Sequence, residues 1–369
     1  GVGTGGSSYG NPPRTFPLFT QEEFHHDAGN LSHNCEITDY ENRTDVWVCD
    51  LSSLPDLCTG CKATQKKIAA YLSHLHQLGV AGIRIDAAKH IQPSELADIL
   101  EQVDDQGDMF VFQEVNTWSA KEPIQPSMYV DQYNGYAATT FDFVDAVNEV
   151  VVEMKVRSPE DIAIGAGNEL GSNNKRAVYF VDNHDTQRSS SRLTYKNGTM
   201  YMQANVLMLG QKVGYPKVMS SYRFTNFAEG PPAEPVHGAN GLNCGPDKPW
   251  VCEHRWPAIA NMVAWRKEAV GSDRVSFAAT DSGRGAAVCR TCCCVAGNAE
   301  DTTWTVRLEV NVPPGKYCDI IQSDDPATCP TITVGEDSMA VLEVPPSGAV
   351  AFRLGVSAAS PASPEPVAA

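Results

Sequence analysis

The sequence predicts an α/β fold built on parallel strands, entered through an irregular loop-rich segment and followed by a small antiparallel β-domain. Three observations carry this expectation. From residue 62 to about residue 221, apolar positions at helical spacing alternate with short apolar runs, a pattern that implies parallel strands joined by right-handed crossovers. Before residue 62 the chain is rich in Gly, Pro, Asn, Asp and Cys and shows little periodicity, as loops do. After about Arg274, short alternating stretches separated by turn residues take over, the mark of antiparallel strands.

Taken in order, Ile68, Leu72, Leu75 and Leu78 recur at helical spacing, and Gly79 stands where that helix ends. The next stretch, GVAGIRIDAAKH at 79–90, reads as a buried strand until Arg84 and Asp86 appear two residues apart. Alternation puts these two on one face and Ile83 and Ile85 on the other. An unpaired charge there costs too much to be an accident of packing. SELADILEQV places Leu96, Ile99, Leu100 and Val103 on one helical face, and MFVFQEV at 109–115 is a second strand. YAATTFDF, a helical stretch near 144–154, the strand RAVYFVDNHD at 176–185, a helix at 201–209 and PKVMSS at 216–221 continue the alternation. TWTVRLEV, KYCDII and SMAVLEV are strands of the antiparallel domain, and GVSAASPASPEPVAA is a low-complexity tail.

Composition narrows the function classes. The 369 residues are 42% hydrophobic and 20% charged, enough apolar material for two domains or more. A net charge of −17 disfavours nucleic acid and anionic membranes as partners, and no apolar run is long enough to span a bilayer. Twelve cysteines and three sequons, Asn30-Leu-Ser, Asn42-Arg-Thr and Asn197-Gly-Thr, point to an oxidising, extracellular setting. The opening GVGTGGSSYGNPP lacks the charged-then-apolar order of a secretory leader, so a mature fragment or a partial sequence is expected.

Three apolar strands each end in an acid: Asp86 after VAGIRI, Glu114 after MFVFQ and Asp185 after YFVDNH. In parallel α/β architectures active sites gather at the carboxyl ends of strands. Any one of these acids could cap a helix or pair with a nearby base, but three in sequence order form a constellation. Paired carboxylates suit glycosidic cleavage, one protonating the leaving oxygen and another attacking or stabilising an oxocarbenium-like carbon. Arg84 beside Asp86 favours an ionised nucleophile. Glu114, flanked by Phe112 and Val115, is placed for a desolvated general acid.

GIRIDAAKH, FVFQEV and FVDNHD, in this order, resemble three consecutive signature regions of the α-amylase family of glycoside hydrolases, and VMSSYR at 218–223 and WVCEHRW at 250–256 resemble its animal-type, chloride-dependent branch. The resemblance runs from near residue 1 to about residue 355. It implies a fold class: the C-terminal part of a (β/α)8 TIM barrel, strands 4–8, with part of an inserted loop domain and a C-terminal antiparallel β-domain. The expected domains are 1–61 (loop-rich, calcium-binding), 62–272 (barrel), 273–355 (β-domain) and 356–369 (tail).

The resemblance also implies roles. Asp86 becomes the nucleophile, Glu114 the acid/base and Asp185 the transition-state stabiliser; Arg84, Lys89, His90 and His184 become substrate-binding residues, with Lys89 and His90 on the aglycone side. Chloride would be held by Arg84, Asn183 and Lys217, so that Arg84 faces a bound anion and Asp86 at once. Calcium would take the Asp56 carboxylate and the main-chain carbonyls of Trp47 and His90, oxygen ligands such as a hard cation prefers. Bridges Cys35–Cys49, Cys244–Cys252 and Cys318–Cys329 are implied. The activity implied is a retaining endo-hydrolysis of α-1,4-glucosidic bonds in starch, glycogen and malto-oligosaccharides by a secreted monomer. A related glucan transglycosylase and a non-catalytic glucan-binding relative are the alternatives.

The chain also departs from the family pattern. The first three barrel strands, the first signature region and the remaining calcium ligand are expected upstream of residue 1, so these residues alone are expected to be inactive. After Gln187 the chain carries SSSRLTYKNG where the family has a glycine-rich loop. Cys58 and Cys61, and Cys289, Cys292, Cys293 and Cys294, have no counterpart in the pattern. C-x-x-C pairs could hold zinc, but an oxidising compartment favours extra disulfides.

Overall fold

The computed structural model describes residues 1–104, 109–117, 121–130, 136–148, 170, 175–189, 192–211, 213–239 and 241–358. The chain divides into two compact units, Gly1–Phe141 with Glu169–Val178, and Asp142–Asn168 with Tyr179–Ala369. Five strands follow one another in sheet order: β1 (Gly82–Ile85), β2 (Phe110–Gln113), β3 (Ala137–Thr139), β4 (Ala177–Phe180) and β5 (Tyr215–Lys217). The pairs β1–β2, β2–β3 and β3–β4 are parallel, with Arg84 opposite Phe112 and Ala138 opposite Ala177. This sheet, with consecutive strands adjacent, is the half-barrel that the alternation of elements requires.

In the first unit, residues 1–61 form turns, isolated bridges, a 3₁₀ turn (Gln21–Glu23) and one short α-helix, α1 (Arg43–Val48). The sequence reading passed over α1. Six residues are too few for a periodic signal, although Asn42 caps it by accepting from Thr44 N at 3.0 Å. Helix α2 (Lys62–Gln77) ends as expected: Gly79 has φ +92°. Val80 N donates to Leu75 O and Gly79 N to His76 O, the paired bonds of a glycine-terminated helix. Leu78, expected on the buried face, is instead the capping residue and is 69% exposed. Helix α3 (Pro93–Leu100) starts on proline and buries Leu96, Ile99 and Leu100, which join Val103, Met109, Val111 and Val115 in one core beneath β1 and β2. Helix α4 (Ser127–Val130) adds Tyr129 to that core.

In the second unit, α5 (Asp142–Asn148) covers the first half of the helix expected near 144–154, and 149–154 lie outside the described residues. Helix α6 (Thr199–Leu209) is buried on nearly every side, Tyr201, Ala204, Val206, Met208 and Leu209 included. Helix α7 (Pro257–Ala269) again begins on proline and centres on the fully buried Trp265. A short hairpin pairs β6 (His237–Gly238) with β7 (Gly241–Leu242). The antiparallel domain has two four-stranded sheets. One orders β15 (Gly348–Arg353), β10 (Cys293–Asn298), β9 (Gly285–Arg290) and β8 (Arg274–Ala279); the other orders β11 (Trp304–Glu309), β14 (Met339–Val344), β13 (Thr331–Val334) and β12 (Gly315–Cys318). Their inward positions, among them Leu308, Leu342, Val350 and Phe352, form one core, as two packed sheets demand.

All twelve cysteines are paired. The three bridges implied by resemblance are present, together with Cys58–Cys61, Cys289–Cys294 and Cys292–Cys293. Disulfides therefore account for both C-x-x-C features, and the zinc reading lapses. Among the described residues no helix is long and apolar enough to cross a membrane. The tail from residue 359 onward lies outside them.

Candidate active site

The first unit brings together Arg84, Asp86 and Glu114. Arg84 projects from β1, and both carboxylates stand one residue past the ends of neighbouring strands. Its guanidinium forks between them: Nη1 donates to Asp86 Oδ1 at 2.5 Å, and Nη2 lies 2.9 Å from Glu114 Oε2. The charge that looked misplaced on a strand is thus paired twice.

The two acids occupy different surroundings. The Asp86 side chain is 73% exposed, whereas that of Glu114 is 10% exposed. Burial lifts the Glu114 carboxyl above the ordinary glutamate range, and the adjacent Asp86 adds to the lift; the Ala87 amide and Arg84 pull the other way. Two neighbouring carboxyls with divergent environments are the arrangement that separates an acid from a nucleophile.

Ala87 was not singled out in the sequence. It adopts a left-handed conformation at φ +46°, and its N–H donates to Glu114 Oε2 at 3.2 Å. Alanine carries no sequence signal for that geometry. Below Glu114, Val115 N donates to Thr139 Oγ1 on β3 at 3.1 Å, which fixes the end of β2.

Lys89 is 4% exposed, its ammonium ion-paired with the buried Glu122 and 5.1 Å from the centre of the Tyr40 ring. Glu122 also went unremarked, although a buried lysine requires an anion. His90 donates from Nδ1 to Val46 O at 3.2 Å, and burial holds its ring below the usual histidine range, hence neutral.

The set of residues implied for calcium also lies in this unit. Asp56 Oδ2 is 2.6 Å from His25 Nδ1, and Asp56 N donates to Asp50 Oδ1 at 3.3 Å. Burial raises the Asp56 carboxyl despite His25, and Asp50 adds to that rise. Among the described residues the main-chain carbonyls of Trp47 and His90 accept no hydrogen bond, while Val46 O and Val48 O take His90 and Asn34. A desolvated carboxylate and two unpaired carbonyls are the donor set a hard cation suits. The one metal-like cluster of side chains among the described residues, Cys35, Asp45 and Cys49, offers no thiolate because the cysteines are bridged.

The second unit carries Asn183, His184, Asp185 and Lys217. After β4 the chain turns sharply: Asn183 Oδ1 accepts from Asp185 N at 3.0 Å and Thr186 N at 2.7 Å, and Asn183 N donates to Thr186 Oγ1 at 2.9 Å. His184 and Asp185 stand at the apex, with side chains 60% and 67% exposed and 3.5 Å between His184 Nε2 and Asp185 Oδ2. The Asn183 amide oxygen is held by the turn, and among the described residues its amide nitrogen donates no hydrogen bond. Lys217 is the exposed last residue of β5.

Residues 271–355 match the family described as the alpha amylase, C-terminal all-beta domain. The chain is 32% identical over 336 residues to an alpha-amylase of Streptomyces violaceus, covering 89% of this chain and 54% of that protein. It is 30% identical over 375 residues to an alpha-amylase of Tribolium castaneum, covering 92% of this chain and 71% of that one. Among solved structures, a variant of alpha-amylase I from Eisenia fetida in complex with maltohexaose superposes with a TM-score of 0.81 at 26% identity, over 96% of this chain and 77% of that one. The chain thus spans little more than half the length of the Streptomyces relative and about three quarters of the other two.

Proposed function

Because the chain belongs to the α-amylase family of glycoside hydrolases, we propose that the complete protein is an endo-acting, retaining α-1,4-glucan hydrolase acting on starch, glycogen and malto-oligosaccharides. One observation carries the mechanism: a buried Glu114, its carboxyl raised by burial, beside an exposed Asp86, the two bridged by Arg84. Asp86 attacks the anomeric carbon while Glu114 gives its proton to the departing glucosidic oxygen. Water, deprotonated by the same Glu114, then releases the sugar from Asp86. Asp185 and His184 hydrogen-bond the sugar hydroxyls and favour the oxocarbenium-like state. His90, neutral, offers a hydrogen-bonding edge on the aglycone side, and Lys89 shapes that side by holding Glu122 and the Tyr40 ring.

Asp56 and the carbonyls of Trp47 and His90 would hold calcium, tying the loop segment to the turn after β1. Arg84, Asn183 and Lys217 would hold chloride, a second anion that keeps the Arg84 charge balanced while Glu114 gains and loses its proton. Six disulfides support a secreted enzyme, and we take it to be a monomer without nucleic-acid or membrane partners.

The test is starch hydrolysis by the complete protein with and without chloride, alongside Asp86→Asn. Chloride-stimulated turnover that vanishes in the variant supports the reading; a folded, calcium-loaded protein without turnover refutes it. A product profile of shorter maltodextrins, with no longer transfer products, separates hydrolysis from transglycosylation.

A further inference from the structure

Beneath the Asn183–Asp185 turn, wholly within the second unit, lie two carboxyl groups that the chemistry above does not use. Asp182 is 2% exposed; its Oδ1 accepts from Tyr201 Oη on α6 at 2.7 Å. Glu253, in the 3₁₀ turn Glu253–Arg255 before α7, has no exposed surface; its Oε2 accepts from Ser221 N at 2.7 Å. The other oxygen of each, Asp182 Oδ2 and Glu253 Oε1, is buried and accepts no hydrogen bond among the described residues. Nor does either acid form an ion pair with a described Lys, Arg or His. A buried carboxyl with no cation beside it carries a charge only at a cost.

Their positions tie them to the turn. Asp182 is covalently joined to Asn183, whose side chain organises the apex. Glu253 holds Ser221 N, Ser221 Oγ accepts from Gln187 Nε2 at 3.3 Å, and Gln187 N donates to Asn183 O at 3.0 Å. The two acids therefore grip the two ends of the segment on which His184 and Asp185 stand.

We infer that Asp182 and Glu253 are positioning residues that clamp the 183–187 turn from its two ends, setting where Asp185 and His184 meet the substrate. Tyr201, from α6, donates to Asp182. Burial, ahead of the Glu253 charge, lifts Asp182 to about 7, while the Tyr201 hydroxyl pulls it down. With its proton Asp182 is neutral; without it the turn rests on a buried anion that has only the Tyr201 hydroxyl beside it, and loosens. The inference deepens the proposed function and rests on Asp185 acting in it.

Two readouts on the complete protein keep that dependence visible. The first needs no activity: infrared titration of the carboxyl stretch. Wild type should show a protonated carboxyl persisting to near-neutral pH, absent in Asp182→Asn and persisting to higher pH in Tyr201→Phe, where the hydrogen bond that favours the anion is gone. The second is kinetic. Asp182→Asn, which keeps an acceptor for Tyr201 and adds a donor, should stay near wild-type kcat, whereas Asp182→Ala should lower kcat by roughly 100-fold with KM nearly unchanged, the pattern of a group felt in the transition state. Absence of the protonated carboxyl overturns a neutral Asp182 as the state that holds the turn, whether or not Asp182→Ala folds. Equal kcat in the Asn and Ala variants overturns the positioning role. A wild type with the infrared signal but no glucan hydrolysis refutes the proposed function and leaves the protonated Asp182 standing.

Discussion

At the scale of single residues, Arg84 decides most. It donates to Asp86 and approaches Glu114, so removing it takes a positive charge from both acids. Arg84→Gln should shift both limbs of the pH–rate profile toward alkaline pH, since each carboxyl loses a partner that favours its anion; unchanged limbs would deny the fork its role. Glu114→Gln should lower kcat by about 10³-fold or more on unactivated starch, and should recover in part on a substrate whose leaving group needs no proton. Glu114 also links pH to stability. Its folded-state carboxyl is raised, so the stability it contributes is present below the ordinary glutamate value and is lost as pH rises through the raised folded value. Urea denaturation of wild type and Glu114→Gln across that window should show the slope in wild type alone. The fork was legible in the sequence because a charge on an apolar strand demands a partner. Ala87 was not, because its left-handed turn reads as any other alanine.

At the scale of elements, punctuation was more readable than interiors. Gly79 at φ +92° ends α2 in a conformation that a side chain strains, and Gly79→Ala should cost about 1–2 kcal/mol in chemical denaturation. Proline at the first position of α3 and of α7 marks both starts. The burial of α6 on nearly every side leaves it little amphipathic stripe, although a helix was legible at 201–209. Helix α7 carries a different kind of information. Trp265 is fully buried, and its Nε1 donates to Cys294 O and Phe352 O, each at 3.1 Å. Trp265→Ala removes a large core side chain and strands two carbonyls, and should cost about 3–5 kcal/mol, seen as a lower melting temperature.

At the scale of the whole molecule, cross-links hold the loop-rich part together, and the calcium proposed above would add to them. With so little regular structure in residues 1–61, Cys35–Cys49 and Cys58–Cys61 constrain chain that a core does not, and reductant should destabilise this part first, as hydrogen exchange can show. Calcium should act on the same region. Chelation should lower the melting temperature of wild type, and Asp56→Asn should lower it beforehand and leave chelation with little further effect; a full chelation response in Asp56→Asn would remove Asp56 from the ligand set.

The order of elements and the three carboxylates at strand ends could be read from the sequence, because each depends on short-range pattern, periodicity or alternation; three of the disulfides came only with the family resemblance, and the pairing of Cys58, Cys61, Cys289, Cys292, Cys293 and Cys294 came with the structure. Tertiary structure alone decided how Arg84 divides between Asp86 and Glu114, which of the two acids is buried, and that Asp182 and Glu253 are buried without a described cation beside either. Those facts depend on groups far apart in the chain sharing one poorly solvated volume, where a few ångströms of distance and the loss of water set which carboxyl keeps its proton. A linear pattern carries neither quantity.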